Sequence, residues 1–175
     1  MELLDVRQLS ALQLATRDFA LSDDVNVFGT FTFDAEWGVG YRQAEAIFGT
    51  FVHALKCHLF GRNSKKRIHL FPVVEGYWRN QAMARSLGIR EGTHIHALMN
   101  LPHDPRSYRD VVRELWMDSH SVCGDPHVYC PKSDKWFLDI RGAGLCEVYA
   151  EYAVKTCAID TDAVLWKYVP VRRPI

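Results

Sequence analysis

The sequence lacks any apolar run approaching the roughly 18 residues that cross a bilayer, so no membrane span is expected. It also lacks an excess of either charge: 21 Lys and Arg stand against 21 Asp and Glu. A protein that grips duplex DNA mainly by charge is not expected, and any nucleic-acid surface must be local. The five cysteines are odd in number and contain no C-x-x-C pair, which argues for free thiols rather than a disulfide framework. Cys123 and Cys130 are the nearest pair, too widely spaced for a zinc knuckle. The opening Met1-Glu2-Leu3-Leu4-Asp5-Val6-Arg7 lacks the basic-then-apolar build of a secretory leader, so the cytoplasm is the expected compartment. Internal repeats and low-complexity linkers are absent as well.

What is present suits one domain. At 175 residues, 48% hydrophobic and 24% charged, the chain can bury one full core and is short for two. Residues 1 to about 24 suggest a short helix through Leu9, Leu12 and Leu14, ending at the turn Ser22-Asp23-Asp24. Val25 to Phe33 is rich in β-branched and aromatic residues and reads as a core strand. From Tyr41 to Phe60 the apolar period becomes helical, and Gly61 stands where a helix ends. Strands are expected over Ile68 to Tyr77, with Pro72 at an edge or bulge, and over Thr93 to Leu101. A second main helix is expected from Ser107 to Met117, then a hairpin of His127–Cys130 with Lys135–Ile140, then a helix from Ala143 to Cys157. The apolar segment with Val164, Leu165, Trp166 and Tyr168 should pack back on the body. The order gives an α+β domain, residues 1–175, with an antiparallel sheet of about five strands and helices packed on it.

Within that frame three groups of residues carry chemistry. His94 and His96 lie two apart on an expected strand, so both rings project from one face and can chelate one cation. A strand histidine taken alone is more often packed or at the surface, and the chain has eight histidines. Glu75, on the strand expected to pair with the histidine strand, is the candidate third ligand, because an unpaired carboxylate among apolar neighbours would be costly to bury. Two imidazoles and a carboxylate suit Mn²⁺ or Mg²⁺, and also Zn²⁺. On the last helix Tyr149, Tyr152 and Lys155 follow at three-residue spacing and are neighbours. A tyrosine, with an unperturbed pKa of about 10, attacks usefully only beside a cation or a polarised phosphate, and Lys155 offers the cation. Most single tyrosines on such helices merely pack a ring and wet a hydroxyl. The run Arg62-Asn63-Ser64-Lys65-Lys66-Arg67, followed by Arg79, Arg85 and Arg90, is either a local nucleic-acid surface or a solvated loop.

His94-Ile95-His96, Glu75 on the preceding strand and Tyr152-Ala153-Val154-Lys155 on a late helix together resemble the HUH endonucleases, in particular the rolling-circle replication initiators of plasmids and single-stranded DNA viruses. The resemblance covers residues 25 to 157, with Phe28-Gly29-Thr30-Phe31-Thr32-Phe33 a loose match to the family's first strand motif. It implies a ferredoxin-like or RRM-like sheet fold and a divalent metal, Mn or Mg, held by Glu75, His94 and His96. It also implies attack by Tyr152 on single-stranded DNA at a replication origin, leaving a 5′-phosphotyrosine and a free 3′-OH, with Lys155 steadying charge.

The sequence departs from the family in three ways. It has no G-x-x-x-x-G-K-[ST] phosphate loop, so a helicase, if used, is supplied in trans or lay in a longer protein. Tyr149 and Tyr152 are one residue too close for the two-tyrosine relatives, which leaves Tyr149 a packing role and one nucleophile. The neutral net charge requires a local groove or aromatic platform, for which Trp37 and Trp78 are candidates. A single-tyrosine transposase or relaxase of the same superfamily is the first alternative. A non-catalytic ferredoxin-like nucleic-acid-binding module is the second. A viral source would place the protein in the host cytoplasm or nucleus.

Overall fold

The computed structural model of the chain describes residues 10–21, 24–33, 39–76, 92–119, 128–155 and 163–170. Five strands form one antiparallel sheet: β1 (Val27–Phe33), β2 (His69–Glu75), β3 (His94–Asn100), β4 (Val128–Tyr129) and β5 (Phe137–Asp139). Their order is β2-β3-β1-β4, with β5 also on β1. Four α-helices accompany the sheet among the described residues: α1 (Ala11–Ala20), α2 (Tyr41–Phe60), α3 (Arg109–Met117) and α4 (Leu145–Val154). The expected α+β architecture is therefore present. None of these helices is long and apolar enough to cross a membrane.

Strand alternation sorts the residues into two faces. Val27, Phe31 and Phe33 of β1, Leu70 and Val74 of β2, and Ile95, Ala97 and Met99 of β3 share a core with α2 and α3. The stripe Ala44, Ile47, Phe48, Phe51 and Leu55 explains why α2 is a helix and which side it buries. Gly61 ends it at φ 85°, a left-handed value that favours glycine, with its N–H bonded to the Cys57 carbonyl. Phe31 sits at the centre of an aromatic cluster with Phe48, Phe51 and Trp116. The opposite face carries Phe28, Phe71, Val73 and Leu98, covered by Ala150, Ala153 and Val154 of α4. The small alanines let α4 sit close to the sheet, which brings its tyrosines within reach of the strands.

Three expectations change. The hairpin expected of His127–Cys130 with Lys135–Ile140 does not form among the described residues. Both segments pair with β1 instead, β4 at Thr32↔Tyr129 and β5 at Gly29↔Phe137. The chain between them is longer than the stretch of β1 it spans, so the excess loops out through a 3₁₀ turn at Asp134–Trp136. The first helix is real, but Leu12 and Leu14 are exposed on it while Gln13, Thr16 and Ala20 are buried. A capping box between Ser10 and Gln13 starts it; Gln13 donates to the Val154 and Lys155 carbonyls and Arg17 pairs with Glu151, while Ala20 joins the core and Phe19 meets Phe71 and Trp166. The second main helix starts later than Ser107, after a 3₁₀ turn at Pro105–Tyr108. The tail returns as expected: Val164 bridges Val73, and Leu165 N–H donates to the Pro72 carbonyl, so Pro72 lies on the edge strand.

Candidate metal and tyrosine site

The register puts Glu75 directly opposite His94, and Thr30 directly opposite His96. All four lie on the face beneath α4. Glu75 Oε2 stands 3.3 Å from His94 Nε2 and 3.4 Å from His96 Nε2. Ligand atoms about 2.1 Å from one ion stand roughly 3.0–3.4 Å apart, so the two Glu75–histidine distances match edges of a coordination shell. Glu75, His94 and His96 can hold a metal ion, their ligand atoms lying within 4.8 Å of one another.

The hydrogen bonds behind the rings support that fit. His94 Nδ1 lies 2.9 Å from the Gly92 carbonyl, which can only accept, so Nδ1 carries the proton. The Nε2 that faces Glu75 must then present a second proton or a lone pair, and a lone pair against a carboxylate calls for a cation between them. His96 Nδ1 lies 3.1 Å from Thr30 Oγ1, a hydroxyl that can donate or accept and so tolerates either tautomer. His96 Nε2 is buried and makes no hydrogen bond of acceptable geometry.

Burial pushes the Glu75 carboxyl up, but the imidazoles of His94 and His96 at 3.3 and 3.4 Å and the charge on Lys155 outweigh it and hold it well below the usual carboxylate range. Burial likewise pushes His96 down, more than Glu75 restores, which keeps that ring neutral. An ionised carboxylate and a neutral imidazole are the states a metal needs. Glu75 and His96 are each 3% exposed, so both side chains are buried beneath α4, while His94 is partly exposed.

Above the cluster, α4 presents its tyrosines. Tyr149 stacks on Phe28 at 4.8 Å between centroids, and Phe28 stacks on His96 at 5.1 Å. Tyr152 is 36% exposed, with its ring 5.0 Å from that of His96 in an edge-on arrangement. Lys155, the residue that caps α4, places Nζ 3.0 Å from Glu75 Oε2 and 3.8 Å from the Tyr152 ring centroid. Burial lowers its affinity for a proton, but the Glu75 charge and a hydrogen bond with Tyr152 reverse the sign, and Lys155 stays charged. Gln13 fixes the backbone there, which makes α1 the strut that sets where Lys155 begins.

The structure thus brings together Glu75, His94, His96, Tyr152 and Lys155, with Tyr149 packed beside them. The basic run 62–67 is not there: it is exposed, apart from Ser64, and leads into the first end of β2, whereas Glu75 is the last residue of that strand. At about 3.3 Å per residue, the two are roughly 20 Å apart. Arg79, Arg85, Arg90, Trp37, Trp78, Cys123 and Cys157 lie outside the described residues; Cys57, Cys130 and Cys146 are free thiols. Sequence reasoning missed Thr30, although Phe28, Thr30 and Thr32 on one face of an otherwise apolar strand were a signal that something polar lies there. Compared with protein-family models, curated proteins and solved structures, the chain matches none. Its function is therefore argued from geometry and chemistry.

Proposed function

We propose that the chain is a metal-dependent enzyme that nicks and rejoins single-stranded DNA through Tyr152, of the HUH class its motifs resemble. One observation carries the reading: Glu75, His94 and His96 from two strands meet Tyr152 and Lys155 from a late helix, with Lys155 Nζ 3.0 Å from Glu75 Oε2. Any one of these motifs alone has a structural explanation; their convergence on one sheet face does not follow from packing.

A divalent ion, Mn²⁺ or Mg²⁺, held by Glu75, His94 and His96 would supply Lewis-acid polarisation of the scissile phosphate. Lys155, already charged, acts as a fixed cation beside the tyrosine and the phosphate and not as the base that takes the phenol proton. Tyr152 Oη attacks the phosphorus; its bond to phosphorus forms as the bond to the 3′-oxygen breaks. The phenol proton passes to solvent water, and the departing oxygen takes one up to become the 3′-OH. Attack by a 3′-OH on the phosphotyrosine reverses the step, so strands can be rejoined without an external energy source. The motif order favours a rolling-circle initiator acting at a single-stranded origin, with a helicase in trans, in the cytoplasm or in an infected host cell's cytoplasm or nucleus.

The test is incubation with a pool of randomised single-stranded oligonucleotides and Mn²⁺, with a chelator control, read on a denaturing gel. The expected result is a protein–DNA adduct that requires metal and disappears in Tyr152→Phe. Binding without any adduct would overturn the reading in favour of a non-catalytic module.

A further inference from the structure

A groove of about 480 Å³ opens from the histidine pair and runs across β1 towards the loop between β4 and β5. Thr30 and Thr32 line it, Leu138 and Val148 give it an apolar side, and Lys135 stands in its wall. Among the described residues no carboxylate contributes to the lining. Val148 is 45% exposed, an apolar surface on a helix otherwise well buried on its sheet side.

We propose that this groove takes a nucleotide adjoining the one that is cut, with Lys135 on its phosphate and the apolar side against its sugar or base. The proposal rests on the reading that the substrate is single-stranded DNA. The size falls in the range of small-ligand sites, which hold mainly apolar walls and a few placed polar groups. The charge is complementary to an anion. Lys135 is exposed and makes no ion pair among the described residues, whereas its acidic neighbours are occupied: Asp134 by Arg109 at 2.9 Å, and Asp139 by Arg106 at 3.0 Å and Arg141 at 2.7 Å. The placement comes from topology. Because β4 and β5 both pair with β1, the excess chain between them loops out beside Thr30, and Lys135 rides on that loop. A chain of zero net charge thereby gains a local cation next to the site.

The test measures binding of a fluorescent oligothymidine to the full chain carrying Tyr152→Phe, in chelator, over a series of salt concentrations. Each phosphate contact to a single strand contributes about 0.7 to the slope of log K against log salt. Lys135→Ala should weaken binding several-fold and lower the slope by about 0.7, while Lys135→Arg keeps the slope. Lys132→Ala, exposed on the same loop but outside the groove lining, should change neither. If Lys135→Ala behaves like Lys132→Ala while the parent binds, the groove assignment is overturned and the DNA reading stands. If the parent binds no single strand at all, both fall.

Discussion

The two faces of the sheet are made from alternate residues of the same three strands, yet one is dry and aromatic and the other holds a carboxylate, two imidazoles and two threonines. On β3, Ile95, Ala97 and Met99 pack under α2 and α3, while His94 and His96 face α4. On β2, Leu70 and Val74 take the first side and Glu75 the second. The difference teaches that stability and chemistry are separated by a single residue of register: a one-residue slip would bury the ligands under α2 and turn the core outwards. The aromatic face supplies the rigidity against which a costly buried carboxylate can be held.

Substitutions on the two faces should therefore fail in different ways. The largest effect on folding belongs to the aromatic side. Phe51, 1% exposed and in contact with Phe31, Phe48 and Trp116, should cost about 3–5 kcal/mol as Phe51→Ala in urea unfolding. The metal-dependent gain in stability per bound protein should survive wherever the domain still folds.

Next in size is the ion proposed for Glu75, His94 and His96. At 100-fold excess over its Kd, a bound ion adds about 2.7 kcal/mol, which for a domain of this length is roughly 5–10 °C in Tm. Glu75→Gln should abolish the Mn²⁺-induced shift while leaving the metal-free protein folded. An undiminished shift in that variant would place the ion elsewhere. Smaller again is Thr30. Thr30→Val removes the partner of His96 Nδ1 and should weaken Mn²⁺ binding 10–100-fold by calorimetry, with Thr30→Ser close to the parent. Equal affinities for Thr, Ser and Val would show that the hydroxyl only packs.

Much of this was legible beforehand where the signal is local. The helical period of residues 41–60, the alternation around Phe31, and His94 with His96 on one strand face all follow from spacing. The grouping of Glu75 with His94 and His96 was legible too, since a carboxylate among Pro72, Val73 and Val74 demands a partner. What escaped depended on pairing between distant segments. Nothing near Thr30 reveals that it lies opposite His96, and the turn residues at 131–134 read equally as a hairpin, so Lys135 had no reason to be placed in a groove. Leu12 and Leu14 misled for a related reason: the side of α1 that faces the body is the one on which Gln13 reaches the end of α4, a contact 141 residues away in sequence, and Ala20 joins the core.

The central claim is that Tyr152 is the nucleophile. It is tested most directly by digesting the metal-dependent protein–DNA adduct with trypsin and nuclease and sequencing the modified peptide by mass spectrometry. Cleavage after Arg141 and Lys155 releases residues 142–155, which contain both Tyr149 and Tyr152. The account predicts a 5′-nucleotide on Tyr152. A nucleotide on Tyr149, or on any residue outside this peptide, would contradict it.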